Sequence, residues 1–333
     1  MKAKLLPLFL PFAVSFSMVY CQGTNNLHTV EVNTLQELQD YFAYKLERDI
    51  IISGHRGGMM TGYPENSIET CEKTLSLLPS FFEIDPRLTK DGVMVLMHDA
   101  DIKRTTNGSG LVSDYTHEEL QQFYLKDREG NITSYKIPTI LEMFEWGKNK
   151  TVFNLDNKDN GPHTWDYYIK QLTEGGEWYP YKNIILSVRS LEEAIYYWER
   201  GVNDRIFCAE ISSMEHFEAY DNSPIPWSHI MAYIRYTVDP EKEELYKKLH
   251  DNGVSIMIAI APTTDKVSNK SGDRRTAYLR ELVAMPDIIE TDYPSEFVNL
   301  PRSRKELHVL REEAFKRIYD KSADFDTLMG KKK

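Results

Sequence analysis

Nine short apolar runs recur along the chain, divided by polar stretches with helical spacing. They are DIIISG (49–54), FFEID (81–85), VMVLMH (93–98), TVFNLD (151–156), NIILSV (183–188), RIFCAEI (205–211), IMAYIRY (230–236), VSIMIAI (254–260) and DIIETD (287–292). Short, nearly continuous runs of this kind predict strands buried on both faces. Between them lie helix signals. SLEEAIYYWERG pairs Ser190 with Glu193 at capping-box spacing and stops on Gly201, and DPEKEELYKKLHDNG starts at Asp239-Pro240 and stops near Gly253. Strands alternating with helices predict a parallel sheet covered on both sides, and eight or nine strands fit a closed (β/α)8 TIM barrel with one run short or peripheral. A doubly wound open sheet is the structural alternative.

The flanking segments read differently. Residues 34–47 predict a helix, with Thr34 and Glu37 at capping-box spacing and Leu35, Leu38, Phe42 and Leu46 on one face. Residues 100–137 form a small polar insertion after the third strand, and 301–333 a charged tail with one helix and then a disordered GKKK. Residues 1–21 read as an export signal: Lys2 and Lys4 precede an apolar stretch broken by Pro7 and Pro11 that ends at Cys21. Either Val19 and Cys21 sit at −3 and −1 of an ordinary cleavage site, or Cys21 becomes the lipid-modified first residue of a lipoprotein. No later run approaches the roughly 20 apolar residues of a membrane span. The expected organisation is a signal (1–21), a linker with an N-terminal helix (22–48), a barrel (49–300) and a partly disordered tail (301–333). The expected location is outside the cytoplasm, with the membrane met only through a lipid at Cys21.

With 333 residues and 41% hydrophobic, the chain can bury a large core. The net charge of −11 argues against nucleic acid as a partner, because phosphate backbones are bound by basic surface. It does not argue against small anions, which a few local cations can hold. After the signal only Cys71 and Cys208 remain, in a helical and a strand-like context, and they read as two free buried thiols. Oligomeric state leaves no mark in the sequence.

The chemistry gathers at the ends of the apolar runs: His55-Arg56-Gly57, Glu83-Ile84-Asp85, His98-Asp99, Asp156-Asn157-Lys158 and Thr291-Asp292. Each alone has a bland reading as a turn, a solvated strand or a salt bridge. In a barrel, however, functional groups collect at the C-terminal ends of strands, so five such ends in succession mark a site. Glu83 and Asp85 point to one face of an extended chain, where two carboxylates repel each other and lose hydration.

In order, GHRGG, PENS (64–67), EIDPRLTKDGVMVLMHD, RTTNGSG (104–110), IPTILEMF (137–144), LDNK (155–158) and ETDYP (290–294) resemble the glycerophosphodiester phosphodiesterases, over residues 50–298. The resemblance implies the same barrel and a small phosphodiester as substrate. It implies that Glu83 and Asp85 are ligands of one divalent cation; an all-oxygen set favours Mg²⁺ or Ca²⁺ over zinc. The third ligand position, a Glu in most of the family, is Asp156 here, one methylene shorter. His55 and His98 match the acid–base pair, and Arg56 and Lys158 the groups that hold the phosphate oxygens. The implied reaction is attack by the substrate's own neighbouring hydroxyl, then opening of the cyclic phosphate by water, releasing an alcohol and glycerol 3-phosphate. Glu65 and Asn66 are expected at the pocket rim or behind the ligands, and Asp292 as a hydrogen-bond acceptor at the barrel mouth.

Two departures stand out. Glu290 replaces an apolar residue and either helps complete the acidic site or pairs with a loop lysine. Ala259 stands near a common Trp position, predicting a wider pocket. The aromatics of 165–181 either line a leaving-group site or pack helices outside the barrel. Other readings of the same residues are phospholipase-type cleavage of an intact phospholipid or inositol phosphodiester, and a non-catalytic phosphodiester- or glycan-binding lipoprotein. A glycosidase would need a carboxylic acid pair and has no use for two histidines.

Overall fold

The computed structural model describes residues 26–159, 161–271 and 273–319. The export segment 1–21 and the GKKK terminus lie outside the described residues. The described residues form ten strands: β1 (Ile51–Gly54), β2 (Phe81–Ile84), β3 (Pro86–Leu88), β4 (Met94–Leu96), β5 (Phe153–Leu155), β6 (Ile184–Val188), β7 (Ile206–Glu210), β8 (Ile230–Tyr233), β9 (Ile256–Ala259) and β10 (Ile288–Thr291). Eight of them, all parallel, close into a barrel in the order β1-β10-β9-β8-β7-β6-β5-β2. The open-sheet alternative is thereby excluded.

The helices are α1 (Leu35–Phe42), α2 (Ile68–Leu75), α3 (His117–Leu120), α4 (Ile140–Gly147), α5 (Pro162–Leu172), α6 (Leu191–Glu199), α7 (Met214–Asp221), α8 (Glu243–Asp251), α9 (Lys266–Ser271), α10 (Arg274–Val283) and α11 (Arg304–Tyr319). Hydroxyl caps fix where several of them begin. Ser67, Thr139, Ser190 and Ser213 each accept the backbone N–H three residues on, which stabilises each start by about 1 kcal/mol. None of the helices among the described residues is long and apolar enough to cross a membrane.

The strand residues alternate between two cores. Ile52, Phe82, Phe153, Ile184 and Phe207 face outward into the layer beneath the helices. That outer layer also absorbs the aromatics of 165–181 other than the exposed Tyr179: Trp178 packs edge-on against Phe144 and Tyr168 rather than lining a site. Ile51, Phe81, Ile185, Met231 and Ile288 face inward, and Leu38 and Phe42 of α1 join them from below. Thus α1 plugs the N-terminal end of the barrel. Its capping box at Thr34 and Glu37 forms as expected, but the helix stops at Phe42, and Leu46 is 61% exposed instead of continuing the buried face. Ala43 leaves the helix to bridge Val254, which turns the chain away.

Two residues further along each strand the interior changes character. At that level stand Ser53, Glu83, Asn154, Ser187, Cys208, Tyr233, Ala259 and Glu290. An apolar floor therefore carries a polar layer toward the C-terminal mouth, as barrel strands with period-two alternation require.

The run 93–98 is the peripheral one. It supplies β4, which pairs antiparallel with β3 outside the barrel, so the insertion that follows the third apolar run comes after only the second barrel strand. Its apolar residues divide between two cores: Met94 and Leu96 join the layer beneath the helices, while Val95 and Met97 cluster with Ile102, Val112, Leu120 and Leu125 in the insertion. Cys71 and Cys208 are both free and buried.

Candidate active site

Where β1 ends, the chain makes a tight turn through His55–Gly57. Arg56 adopts φ 54 and Gly57 φ 86, and a Cβ on Gly57 would stand 2.9 Å from the Cys71 sulfur. Only glycine tolerates both the left-handed backbone and that approach. The turn aims three groups at once. The Arg56 N–H donates to Glu83 Oε2 at 2.9 Å, the His55 Nδ1–H donates to Asp292 Oδ1 at 2.6 Å, and the Arg56 guanidinium donates to Glu65 Oε1 at 3.0 Å. His55 Nε2 then faces Glu83 Oε2 at 3.9 Å.

Behind the carboxylates sits Asn66, which is buried. Its Nδ2 donates to Asp85 Oδ2 at 2.5 Å, and its Oδ1 accepts the Asp85 N–H at 3.0 Å. Asp85 is also 2.9 Å from Lys158 Nζ and 3.5 Å from Arg56 Nε, and Lys158 also donates to Asp156. Oxygens of Glu83, Asp85 and Asp156 lie within 4.8 Å of one another, so the shorter Asp156 still reaches the group. The two buried acids titrate in opposite directions. Burial, then Asp85, Glu290 and Asp156, push Glu83 well above the usual carboxylate range. Burial would push Asp85 up too, but Lys158 and Arg56 outweigh it and hold the group well below. Glu83 Oε1 is buried with no hydrogen-bond partner. An orphaned carboxylate oxygen within an all-oxygen trio fits a hard divalent cation.

His98 follows β4. Its Nδ1–H donates to Asp99 Oδ1 at 2.7 Å, while Arg87 donates to its carbonyl at 2.8 and 3.1 Å. Burial lowers its pKa against the pull of Asp85 and Asp99, and the charges of Arg56 and Lys158 also act on it. Asp99 is held at about 2, chiefly by its hydrogen bond from Arg104. Arg104 then grips Glu65 with both terminal nitrogens at 2.7 Å, closing a chain from His98 to Arg56. Arg104 heads the RTTNGSG motif, yet its spacing gave no hint of this link.

All seven expected site residues converge at the mouth. Glu290 lines the same cavity of about 310 Å³ as His55, Glu83, Asp156 and Ala259. No lysine pairs with it among the described residues; its neighbour is Ser53, whose hydroxyl donates at 3.4 Å, and burial lifts its carboxyl to about 6. Burial lowers the His55 pKa, but Asp292 and Glu290 more than reverse that. Asp292 is positioned in turn by Asp265, whose Oδ2 accepts the Asp292 N–H at 2.7 Å and the Thr291 hydroxyl at 2.8 Å. Nothing in the sequence marked Asp265, because it comes from the irregular turn Ala261–Asp265 after β9.

Fold and site are together those of a barrel phosphoric diester hydrolase. A family model described as the glycerophosphoryl diester phosphodiesterase family matches residues 55–262, and the chain belongs to that family. It is 28% identical over 265 residues to a glycerophosphodiester phosphodiesterase of Caldanaerobacter subterraneus subsp. tengcongensis, covering 76% of this chain and 98% of that one. A crystal structure of a glycerophosphoryl diester phosphodiesterase from Parabacteroides distasonis superposes with a TM-score of 0.74 at 42% identity, over 84% of this chain and 97% of that one. A glycerophosphodiester phosphodiesterase structure from Thermotoga maritima, at 22% identity and TM-score 0.52, shares the fold over 76% of this chain and 99% of its own.

Proposed function

We propose that the protein hydrolyses glycerophosphodiesters to an alcohol and glycerol 3-phosphate, with His55 and His98 sharing the proton transfers. The observation that carries this reading is the convergence of two carboxylate-anchored imidazoles on one cluster of acids and cations. Each histidine is tied at Nδ1, to Asp292 or to Asp99, which leaves Nε2 to meet the reactants. One imidazole takes the proton from the attacking glycerol hydroxyl, and the other gives one to the departing alkoxide. The O–P bond to the neighbouring hydroxyl forms as the P–O bond to the alcohol breaks, and water then opens the cyclic phosphate. Arg56 and Lys158 hold the phosphoryl oxygens as negative charge builds on them. Glu83, Asp85 and Asp156 would hold a Mg²⁺ or Ca²⁺, which when bound supplies Lewis-acid stabilisation of that charge.

The test is release of glycerol 3-phosphate from glycerophosphocholine with Ca²⁺, Mg²⁺ or EDTA, beside His55→Ala. Metal-dependent release that disappears in the variant is expected. Equal cleavage of a diester lacking the vicinal hydroxyl would remove the cyclic intermediate from the scheme.

A further inference from the structure

A second cavity, of about 400 Å³, opens on the other side of the reacting centre, between the insertion and the segments after β9 and β10. His55 lines the first cavity and its neighbour Arg56 lines the second, so a diester bound at Arg56 has both cavities within reach. The two are opposite in charge. The first carries Glu83, Asp156, Glu210 and Glu290 against Arg189 and His55. The second carries Arg56, Arg104, Lys126, Arg128 and Lys266.

Its three acids are already engaged. Glu65 is held by Arg56 and Arg104, and Asp292 by His55. Asp127 accepts N–H groups of Gly62, Glu129 and Asn131. Arg104 is spent on that pairing and Arg56 is shared between Glu65 and the reacting phosphate, which leaves the other three cations. Lys126 donates to the Lys103 carbonyl at 3.2 Å and is paired with no carboxylate among the described residues. Arg128 lies 4.5 Å over the Tyr293 ring and 3.5 Å from Glu129, whose carboxylate is 43% exposed. Lys266 reaches in from α9. Three cations directed at one concavity, in a chain of net charge −11, form a local anion trap.

We infer that this cavity is a subsite for a second anionic group, so that the preferred substrates are glycerophosphodiesters whose alcohol half carries a phosphate. The inference rests on the reaction proposed above. Glycerol hydroxyls donate to the acids of the first cavity, and the charged head group faces Lys126, Arg128 and Lys266 in the second.

Glycerophosphoinositol and its 4-phosphate differ only in that charge, so the ratio of their kcat/KM values is the readout. The 4-phosphate should be preferred at least tenfold, with the preference fading as salt rises. Lys126→Ala combined with Arg128→Ala should bring the ratio close to one; an unchanged ratio overturns the inference. Calorimetric binding of inositol 4-phosphate, an alcohol product, separates this from the reaction itself. Binding that weakens tenfold in the double variant supports the subsite even if no diester is turned over. Equal binding by both proteins, or none by either, overturns it while leaving glycerophosphocholine hydrolysis standing.

Discussion

Asp292 shows how much one side chain at the barrel mouth decides. Its carboxylate fixes the His55 tautomer through a 2.6 Å hydrogen bond and supplies much of the charge that raises the imidazole pKa against burial. Asp292→Asn keeps an acceptor but loses the charge. The His55 imidazole, followed by NMR, should then titrate at lower pH, and kcat should fall about 10²–10⁴-fold with KM little changed. A purely structural role would lower stability and leave the titration where it was. Glu290→Gln tests the neighbouring carboxyl. It removes a second source of the same shift, so His55 should again titrate lower, by a smaller amount, and unchanged titration would mean Glu290 only fills space.

The element scale explains why much of the fold was legible. Apolar runs bounded by hydroxyl caps and glycines declare parallel strands and helices, and nine such runs fit an eight-strand closure with one run left over, although an open sheet fits the same pattern until the pairing is seen. The run 93–98 misleads because Val95 and Met97 are buried as deeply as barrel residues, but in the insertion's own core. Local pattern reports burial, not which core does the burying. Likewise Leu46 continues the helical spacing of α1 while the backbone has already turned toward Val254. The plug itself is testable: Phe42, whose ring sits 5.1 Å from Phe81, should cost about 3–5 kcal/mol on truncation to Ala, read from denaturant midpoints. The turn after β9 offers a pH test. Burial raises Asp265 from 3.8 to about 6, so the native state holds its proton more tightly than the unfolded chain. Stability from this group is therefore full below pH 4 and falls as pH climbs to 6, by about 3 kcal/mol. Asp265→Asn should flatten that slope in unfolding curves collected across the window.

At the scale of the whole molecule, the site was readable where its residues sit in short motifs at strand ends, and unreadable where the insertion folds back. Lys126, Arg128 and Lys266 have no common spacing, and only the closed barrel with its insertion brings them to one cavity. The same closure brings Glu83, Asp85, Asp156 and Glu290 together, where Lys158 and Arg56 offset only part of their charge. An acidic cluster in a barrel core makes stability depend on what neutralises it. Mg²⁺ or Ca²⁺ at a hundredfold excess over its Kd should stabilise the fold by about 2.7 kcal/mol through mass action, a melting shift of roughly 5 °C for a chain of this size. Glu83→Gln separates this from non-specific ion effects, because it removes the carboxylate with the orphaned oxygen and leaves its shape. In EDTA the variant should melt at or above the wild type, since a costly buried charge is gone. With metal added, the wild type should gain its full shift and the variant little. A variant that gained as much as the wild type would place the ion somewhere else on the protein, and the trio would then be an acidic cluster held together by Lys158 and Arg56 alone.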